Sequence, residues 1–443
     1  MKTISNGMSG FLFLPFLLLT LPVAMKAQFA FTTNDGAITI TRYTGSGGTI
    51  AIPSTTNGLP VTSIAAGAFG ISNGGGLVSK SSVTIPYSIT NIASEEFALC
   101  LGLTAITVDT NNPAYSSVAG VLFDKSQTTL LQYPGGIGGS YTIPFGVTSI
   151  GSEAFYYCLG LTNVIIPDSV ICVEAYAFCK CGSLASVALG SGISNIGPDA
   201  FGSCSNLSSL TVPNSVTNIG YGAFVECTGL TNVTLGNGIT SIASEVFEDC
   251  GSLASIAVPN SVTSIENGAF FRCTSLTNVT IPNNVNSISD LAFSGCERLA
   301  NVVIPNSVNY IGSGAFAGCP NLRSIYFEGN APNVGQDTYS FVNGIVYYLP
   351  GTIGWDVTFE GLPTVLWIPQ VQTSDGGFGV ETNGFGFNIN WASGQTVVVE
   401  VCTNFSNPVW QPLQTNTLTG GSSYFSDPQW TNYPDRFYRL KSQ

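Results

Sequence analysis

Histidine does not occur in the 443 residues, charged residues make up only 8%, and methionine occurs three times. Without histidine the chain lacks the commonest general base, the commonest metal ligand and every Ser-His-Asp arrangement. Twelve Lys and Arg against 25 Asp and Glu leave a formal net charge of −13, so no basic footprint for nucleic acid exists. Scarce charge also argues against a helical protein, whose solvated faces draw on Glu, Lys and Arg. With 44% apolar residues the chain is equally unlike a disordered one. Long apolar runs are missing beyond the N-terminus, where no segment approaches 18 uninterrupted apolar residues, so no transmembrane span is expected in the mature chain.

The N-terminus itself carries Lys2, a short apolar core at 11–21 and then Ala24-Met25-Lys26-Ala27. This is the pattern of an export signal cut near residue 27; an uncleaved membrane anchor is the alternative.

What the sequence has in abundance is repetition. Phe155, Phe178, Phe201, Phe224, Phe247, Phe270, Phe293 and Phe316 are spaced by 23 residues, with Phe69 and Phe97 in the same series but offset by insertions. Locked to this marker are an Ile column five residues earlier (Ile150, Ile196, Ile242), a Val/Ile column eight earlier (Val147, Ile193, Ile239) and a Leu column six later (Leu161, Leu207, Leu253). Within a unit, Val279 and Ile281 alternate with polar neighbours as a half-buried strand requires. Pro282 lacks an N–H and ends the ladder, and 288–293 turns the chain back. One unit cannot bury its own Ile, Phe and Leu; stacking buries each column against itself. About ten coils rising about 5 Å each would give a rod or arc about 50 Å long.

The motif I-P-x-x-V-x-x-I-x-x-x-A-F-x-x-C, as in 281–296, resembles the leucine-rich repeats of the BspA-like family of exported bacterial surface proteins, over roughly residues 50–330. The resemblance implies an α/β-type leucine-rich repeat solenoid, mostly β and turns, with a parallel sheet on one face. It also implies a binding or adhesive role, since several members act in adhesion to proteins or cells.

The expected organisation is a signal peptide at 1–27, an N-terminal β cap at 28–53 and the solenoid at 54–330 with an insertion near 105–143. A C-terminal cap and linker follow at 331–370, then a small antiparallel β-sandwich at 371–443. Asn34-Asp35-Gly36 marks a capping hairpin, and two short apolar runs around 124–127 mark another inside the insertion. The 23-residue pattern reads as ending after Leu322, and 368–377 reads as a linker.

Nine cysteines lie three residues after a marker: Cys100, Cys158, Cys181, Cys204, Cys227, Cys250, Cys273, Cys296 and Cys319. A column of small buried hydrophobes explains them better than disulfides, because parallel neighbours do not face each other correctly. Cys172 and Cys179 stand outside the column and are the candidates for a disulfide; with Cys181 they make a weak zinc signal.

The outward strand positions form the candidate binding face: Asn163, Ile165, Ser209, Thr211, Asn232, Thr234, Asn278, Thr280, Asn301, Ser324 and Tyr326. They hold one Tyr and no charge, which suits broad, weak, multivalent contact rather than a pocket. The acids fall in the turns (Glu95, Glu96, Glu153, Glu174, Asp199, Glu226, Glu245, Glu248, Asp249, Glu266, Asp290) and read as a solvated rim. No calcium-loop motif accompanies them, and no cofactor, metal or catalytic constellation stands out. Trp391, Trp410, Trp430, Tyr424 and Tyr433 either fill the core of the last domain or form a sugar-stacking platform. The expected function is a non-enzymatic, secreted or cell-surface scaffold for extracellular proteins or cell-surface polymers. A carbohydrate-binding or carbohydrate-active C-terminal domain, or a purely structural envelope spacer, are the alternatives.

Overall fold

The computed structural model describes residues 28–69, 77, 79–94, 96–381, 384–433 and 435–443. The expected signal peptide and Glu95 lie outside the described residues. The chain is a β-solenoid of about 13 turns followed by an antiparallel β-sandwich, with no α-helix among the described residues.

The coil around Phe270 shows how the sequence builds the turns. Ser255–Ala257 is a strand whose Ile256 points inward and whose flanking polar and small side chains face out. Pro259 ends it, and the Val262 N–H donates to the Pro259 carbonyl to close a corner. Ser264–Ile265 follows as a second, two-residue strand. The chain then turns through Ala269 and Phe270, and the Cys273 N–H closes on the Phe270 carbonyl at 3.1 Å. The regular coils repeat this course, and where their strands pair they do so in parallel with partners 23 residues away: Ser255 faces Asn278, and Ser264 faces Ser287.

The expected parallel sheet on one face is present in sections, with breaks between 188 and 209, 234 and 255, and 280 and 301, and two further hydrogen-bonded faces close the coil. The segment read as a plain return turn contains the short-strand sheet. On the third side the turns themselves bond coil to coil: Phe247 N–H to the Ala269 carbonyl at 3.0 Å, and Asp249 N–H to the Phe271 carbonyl at 2.8 Å. The turn needs left-handed backbone two residues before and two residues after each Phe. Glu245 (φ 56°), Asp249 (φ 54°) and Arg272 (φ 54°) accept it as readily as Gly268 (φ 60°). Side chains there are strained locally and are held by the coil-to-coil bonds.

Inside, Phe155 to Phe316 form one stack, with neighbouring ring centroids 4.5–5.8 Å apart and ring planes within 17° of parallel. The widest step, 5.8 Å, is Phe224 to Phe247. There Val246 takes the place held by Ala in the neighbouring coils, and the short-strand sheet is interrupted between Asn218–Ile219 and Ser241–Ile242. Two extra methyl groups in a column packed for Ala separate the coils enough to lose strand pairing.

The repeat does not end at Leu322. At the same spacing of 23, Val334, Thr338, Tyr339, Val342 and Ile345 replace Ile, Ala, Phe, Cys and Leu. Tyr339 continues the ring stack 5.7 Å from Phe316, and Ile345–Tyr348 and Leu362–Leu366 extend the long-strand sheet. Tyr43 and Tyr133 stand in the stack in the same way. At the N-terminal end Phe29–Asn34 and Ala37–Tyr43 form the expected hairpin, whose second strand pairs in parallel with Leu59–Ile64.

In the last module, Gly384–Asn390 pairs along one edge with Ser422–Asp427 and along the other with Gln370–Gln372 and Gly379–Glu381 in turn; Thr396–Cys402 is flanked by Gln411–Thr417 and Phe437–Ser442. Phe387, Ile389, Val397, Val399 and Phe425 fill the space between the two sheets. The stretch 368–377 is not simply a linker: Gln370–Gln372 is a strand of the sandwich. Leu349 and Trp367 of the solenoid's last turns join the sandwich core, and Trp391 Nε1 donates to the Trp367 carbonyl at 2.7 Å, which seats the module on the solenoid end.

Candidate binding surfaces

The structure places the predicted strand positions side by side. Asn163 faces Ser186, Ser209 faces Asn232, Ser255 faces Asn278 and Asn301 faces Ser324. In the adjacent column Ile165 faces Ala188, Thr211 faces Thr234, Ala257 faces Thr280 and Val303 faces Tyr326. Alternation along each strand puts both columns outside. Most are exposed; Asn163, Ser324 and Tyr326 are half-buried. Part of the polar column satisfies itself: Asn163 Nδ2 donates to Ser140 Oγ at 3.1 Å, and Ser186 Oγ donates to Asn163 Oδ1 at 2.7 Å. At the C-terminal end the face becomes aromatic, with Tyr326 stacked on Tyr347 at 4.9 Å and touching Trp367 at 4.7 Å.

The turn face holds residues the sequence reading passed over. Tyr156, Tyr157, Tyr176 and Tyr221 sit there among the acids. Lys180 Nζ lies 5.1 Å from the Tyr157 ring centre, and the Tyr221 hydroxyl bonds to Glu245. For Tyr157 and Tyr176 the signal that could have found them is the left-handed turn position itself, which the marker Phe locates. Burial and the neighbouring Glu245 raise the Glu248 carboxyl to about 7.

Glu96 corrects the picture of a solvated acidic rim. It occupies the Ala position directly before Phe97 and is only 2% exposed. Its Oε1 accepts the Phe69 N–H at 2.7 Å, where the next coil's backbone carbonyl does this work in regular coils, and its Oε2 accepts the Ala68 N–H at 3.1 Å, which also keeps its turn bond to the Ala65 carbonyl. Burial raises it to about 8 against hydrogen bonds from the Phe69, Ala68 and Gly67 backbone.

Glu96 borders a seam. The insertion forms the expected hairpin, with Val121–Asp124 antiparallel to Thr129–Gln132, and a further strand Tyr115–Val118. Among the described residues, Asn91–Ile92 pairs only with the strand before it, and Thr129–Gln132 pairs onward with Ser149–Ile150. Instead, the Tyr115 hydroxyl accepts the Ile92 N–H at 2.9 Å. The ring stack parts as well, Phe97 resting on Phe69 and Tyr133 on Phe155. The solenoid core therefore falls into two clusters, with Leu122 facing one and Val121 and Phe123 the other. Between them lies a cavity of about 190 Å³.

Residues 50–137, 139–254 and 240–348 match the family model of the BspA type leucine rich repeat region, in six copies. The chain belongs to that family. Among solved structures, it is similar to a leucine-rich repeat protein from Bacteroides ovatus, at 24% identity over 76% of this chain and 74% of that one, with a TM-score of 0.47. A leucine rich cell surface protein from Faecalibacterium prausnitzii gives 26% identity over 73% of this chain and 93% of that one, with a TM-score of 0.43. No curated protein matches.

In this BspA-type array the column cysteines are free and buried. Each thiol points along the stack: Cys250 Sγ donates to the Phe224 carbonyl at 3.2 Å, and Cys273 Sγ to Phe247 at 3.1 Å. Burial pushes the Cys100 and Cys227 thiols up to about 12. Cys172 and Cys179 are also free. Cys172 Sγ instead lies 3.2 Å from Glu174 Oε1 and accepts from Asn195 Nδ2 at 3.1 Å. Among the described residues no group of three or more His, Cys, Asp or Glu is arranged to hold a metal ion.

The aromatics read as either core or sugar platform are spread over the module. Trp391 is in the sandwich core. Trp410 lies under the Arg439 guanidinium, 4.5 Å away, and Tyr433 under that of Arg436 at 4.4 Å. Tyr424 projects from the other sheet, on Ser422–Asp427. Both cations are also tied to buried acids, Arg439 to Glu400 at 2.6 Å and Arg436 to Asp427 at 3.0 Å. The two ion pairs fix the closing strand rather than offer charge to a ligand.

Proposed function

We propose that the chain is an exported, non-enzymatic scaffold, secreted or held at the cell surface, that binds extracellular proteins or cell-surface polymers through its long-strand sheet. The observation that carries this reading is the pair of outward columns from Asn163 to Tyr326, in register within each pair of bonded strands. The export part rests on the sequence of 1–27, and the adhesive part on the family. An uncharged face of Asn, Ser and Thr gives weak individual contacts, and affinity comes from repetition along a stiff support. No helix among the described residues is long and apolar enough to cross a membrane.

The test presents residues 28–443 to arrays of extracellular proteins and glycans, with glycan turnover assayed in parallel. Thr234→Arg with Asn278→Arg should weaken binding at least tenfold while the far-UV spectrum is unchanged, and Tyr221→Ala should leave it intact. Loss of binding in Tyr221→Ala alone would move the interface to the turn face. Saturable turnover would end the non-enzymatic reading.

A further inference from the structure

The seam between the two core clusters holds a cavity that the regular repeat does not predict. Its walls are apolar at Ile92, Phe97, Leu122 and Leu131, and polar at Glu96, Tyr115, Gln132 and the two serines Ser94 and Ser152. Its volume, about 190 Å³, is close to that of engineered apolar cavities of about 150 Å³ that take up benzene.

Two polar groups in the wall are half-used. Gln132 is 5% exposed. Its Nε2 donates to the Tyr133 carbonyl at 3.0 Å and the Ala154 carbonyl at 3.3 Å, which fixes the amide's orientation. No donor reaches its Oε1. The Tyr115 hydroxyl accepts from the Ile92 N–H, so its own proton remains to be donated. The Oε1 atom therefore opens onto the cavity as a free acceptor, which water or a bound hydroxyl can serve.

We propose that this seam is a binding site for a small neutral alcohol with a compact apolar body. The hydroxyl donates to Gln132 Oε1 and accepts from the Tyr115 hydroxyl, and the body fills the space between Ile92, Phe97, Leu122 and Leu131. The ligand is neutral because both Glu96 oxygens already accept backbone N–H groups and a charge in this wall would be poorly solvated. The site bridges the coils on either side of the insertion, so its occupant stiffens the join between the two stacks.

The test compares three probes of one shape, benzyl alcohol, toluene and benzylamine, titrated into residues 28–443 and followed by calorimetry and by chemical shifts of the cavity methyl groups. Benzyl alcohol should bind saturably, about fivefold or more tighter than toluene, the value of one neutral hydrogen bond of about 1 kcal/mol. Benzylamine should bind no better than toluene. Ala93→Phe, which fills the cavity from its rim, should abolish benzyl alcohol binding. Gln132→Met should reduce benzyl alcohol to the affinity of toluene; its melting temperature, measured alongside, separates lost recognition from lost folding. Equal affinity for benzyl alcohol and toluene would overturn the proposal. So would tighter binding of benzylamine, undiminished binding in Ala93→Phe, or no saturable binding of any probe.

Discussion

The coil that carries Phe247 and the coil that carries Phe97 are built to one pattern but held in two ways. Phe247 lies between two parallel rings at 5.8 and 5.6 Å, with backbone bonds to the next coil on its turn; its long strand pairs with the coil before and its short strand with the coil after. Phe97 has a ring on one side only, tilted by 35°, and a cavity on the other. Around it, side chains do what backbone does elsewhere: Glu96 accepts for the turn and Tyr115 accepts for the strand. A repeat is stabilised by its likeness to its neighbours. Where the neighbour differs, polar side chains must be buried to make up the difference, and these are the groups able to titrate or bind.

The sharpest way to break the comparison is to truncate both rings. Phe247→Ala should cost about 3–5 kcal/mol, the range for a fully packed aromatic. Phe97→Ala should cost less, about 2–3 kcal/mol, because part of its surroundings is already empty. Phe247→Asp would bury an unpaired charge and should abolish cooperative unfolding altogether. Urea unfolding followed by far-UV circular dichroism gives all three. Equal losses at the two positions would show that the seam is as well packed as the regular stack.

The next effect is set by pH. In the folded protein Glu96 is raised from 4.5 to about 8. A raised carboxyl binds its proton more tightly in the folded state, so its contribution to stability is complete below about pH 4.5 and is lost as pH rises to about 8. The span corresponds to a few kcal/mol. In Glu96→Gln this component should disappear: the difference in stability between the variant and the parent should move in the variant's favour from pH 5 to pH 8. Gln also supplies only one acceptor for two N–H groups, so the variant starts from a lower stability at pH 5. A pH-independent difference would mean that Glu96 is charged throughout.

Much of the solenoid is legible in the sequence because each column is both a packing position and a register mark. Ile256, Phe270 and Cys273 announce where the strand, stack and turn of their coil fall. The coil of Tyr339 is missed by a strict motif because the stack needs a flat ring and the turn a small residue, which Tyr339 and Thr338 also supply. The short-strand sheet is hidden for another reason: two residues such as Ser264–Ile265 are too few to show alternation. The outward columns follow from strand alternation and can be read directly. The seam cannot, since Glu96 differs from a solvated turn acid only by standing one place nearer its Phe. The cavity beside it depends on how the insertion docks, which no period encodes.

The smallest effect leaves stability untouched and reads the comparison as a rate. Alkylation needs the thiolate, and burial holds the Cys100 and Cys227 thiols far above neutral. Native protein at pH 8 should therefore label first at Cys172, the half-buried thiol outside the column, with no change in melting temperature. The column thiols should react only through opening of the coils that cover them. Within the regular stack, Cys227, Cys250, Cys273 and Cys296 share one core cluster and should label together. Cys100 belongs to the other cluster, across the seam, and should label sooner if the N-terminal stack opens on its own. Timed alkylation read by peptide mass spectrometry follows each site, and denaturation without reductant should release all 12 thiols. Labelling of Cys100 in step with Cys250 would mean that the seam transmits cooperativity as fully as a regular coil boundary. Filling the cavity with benzyl alcohol should then slow Cys100 towards Cys250 only if the two rates differ to begin with.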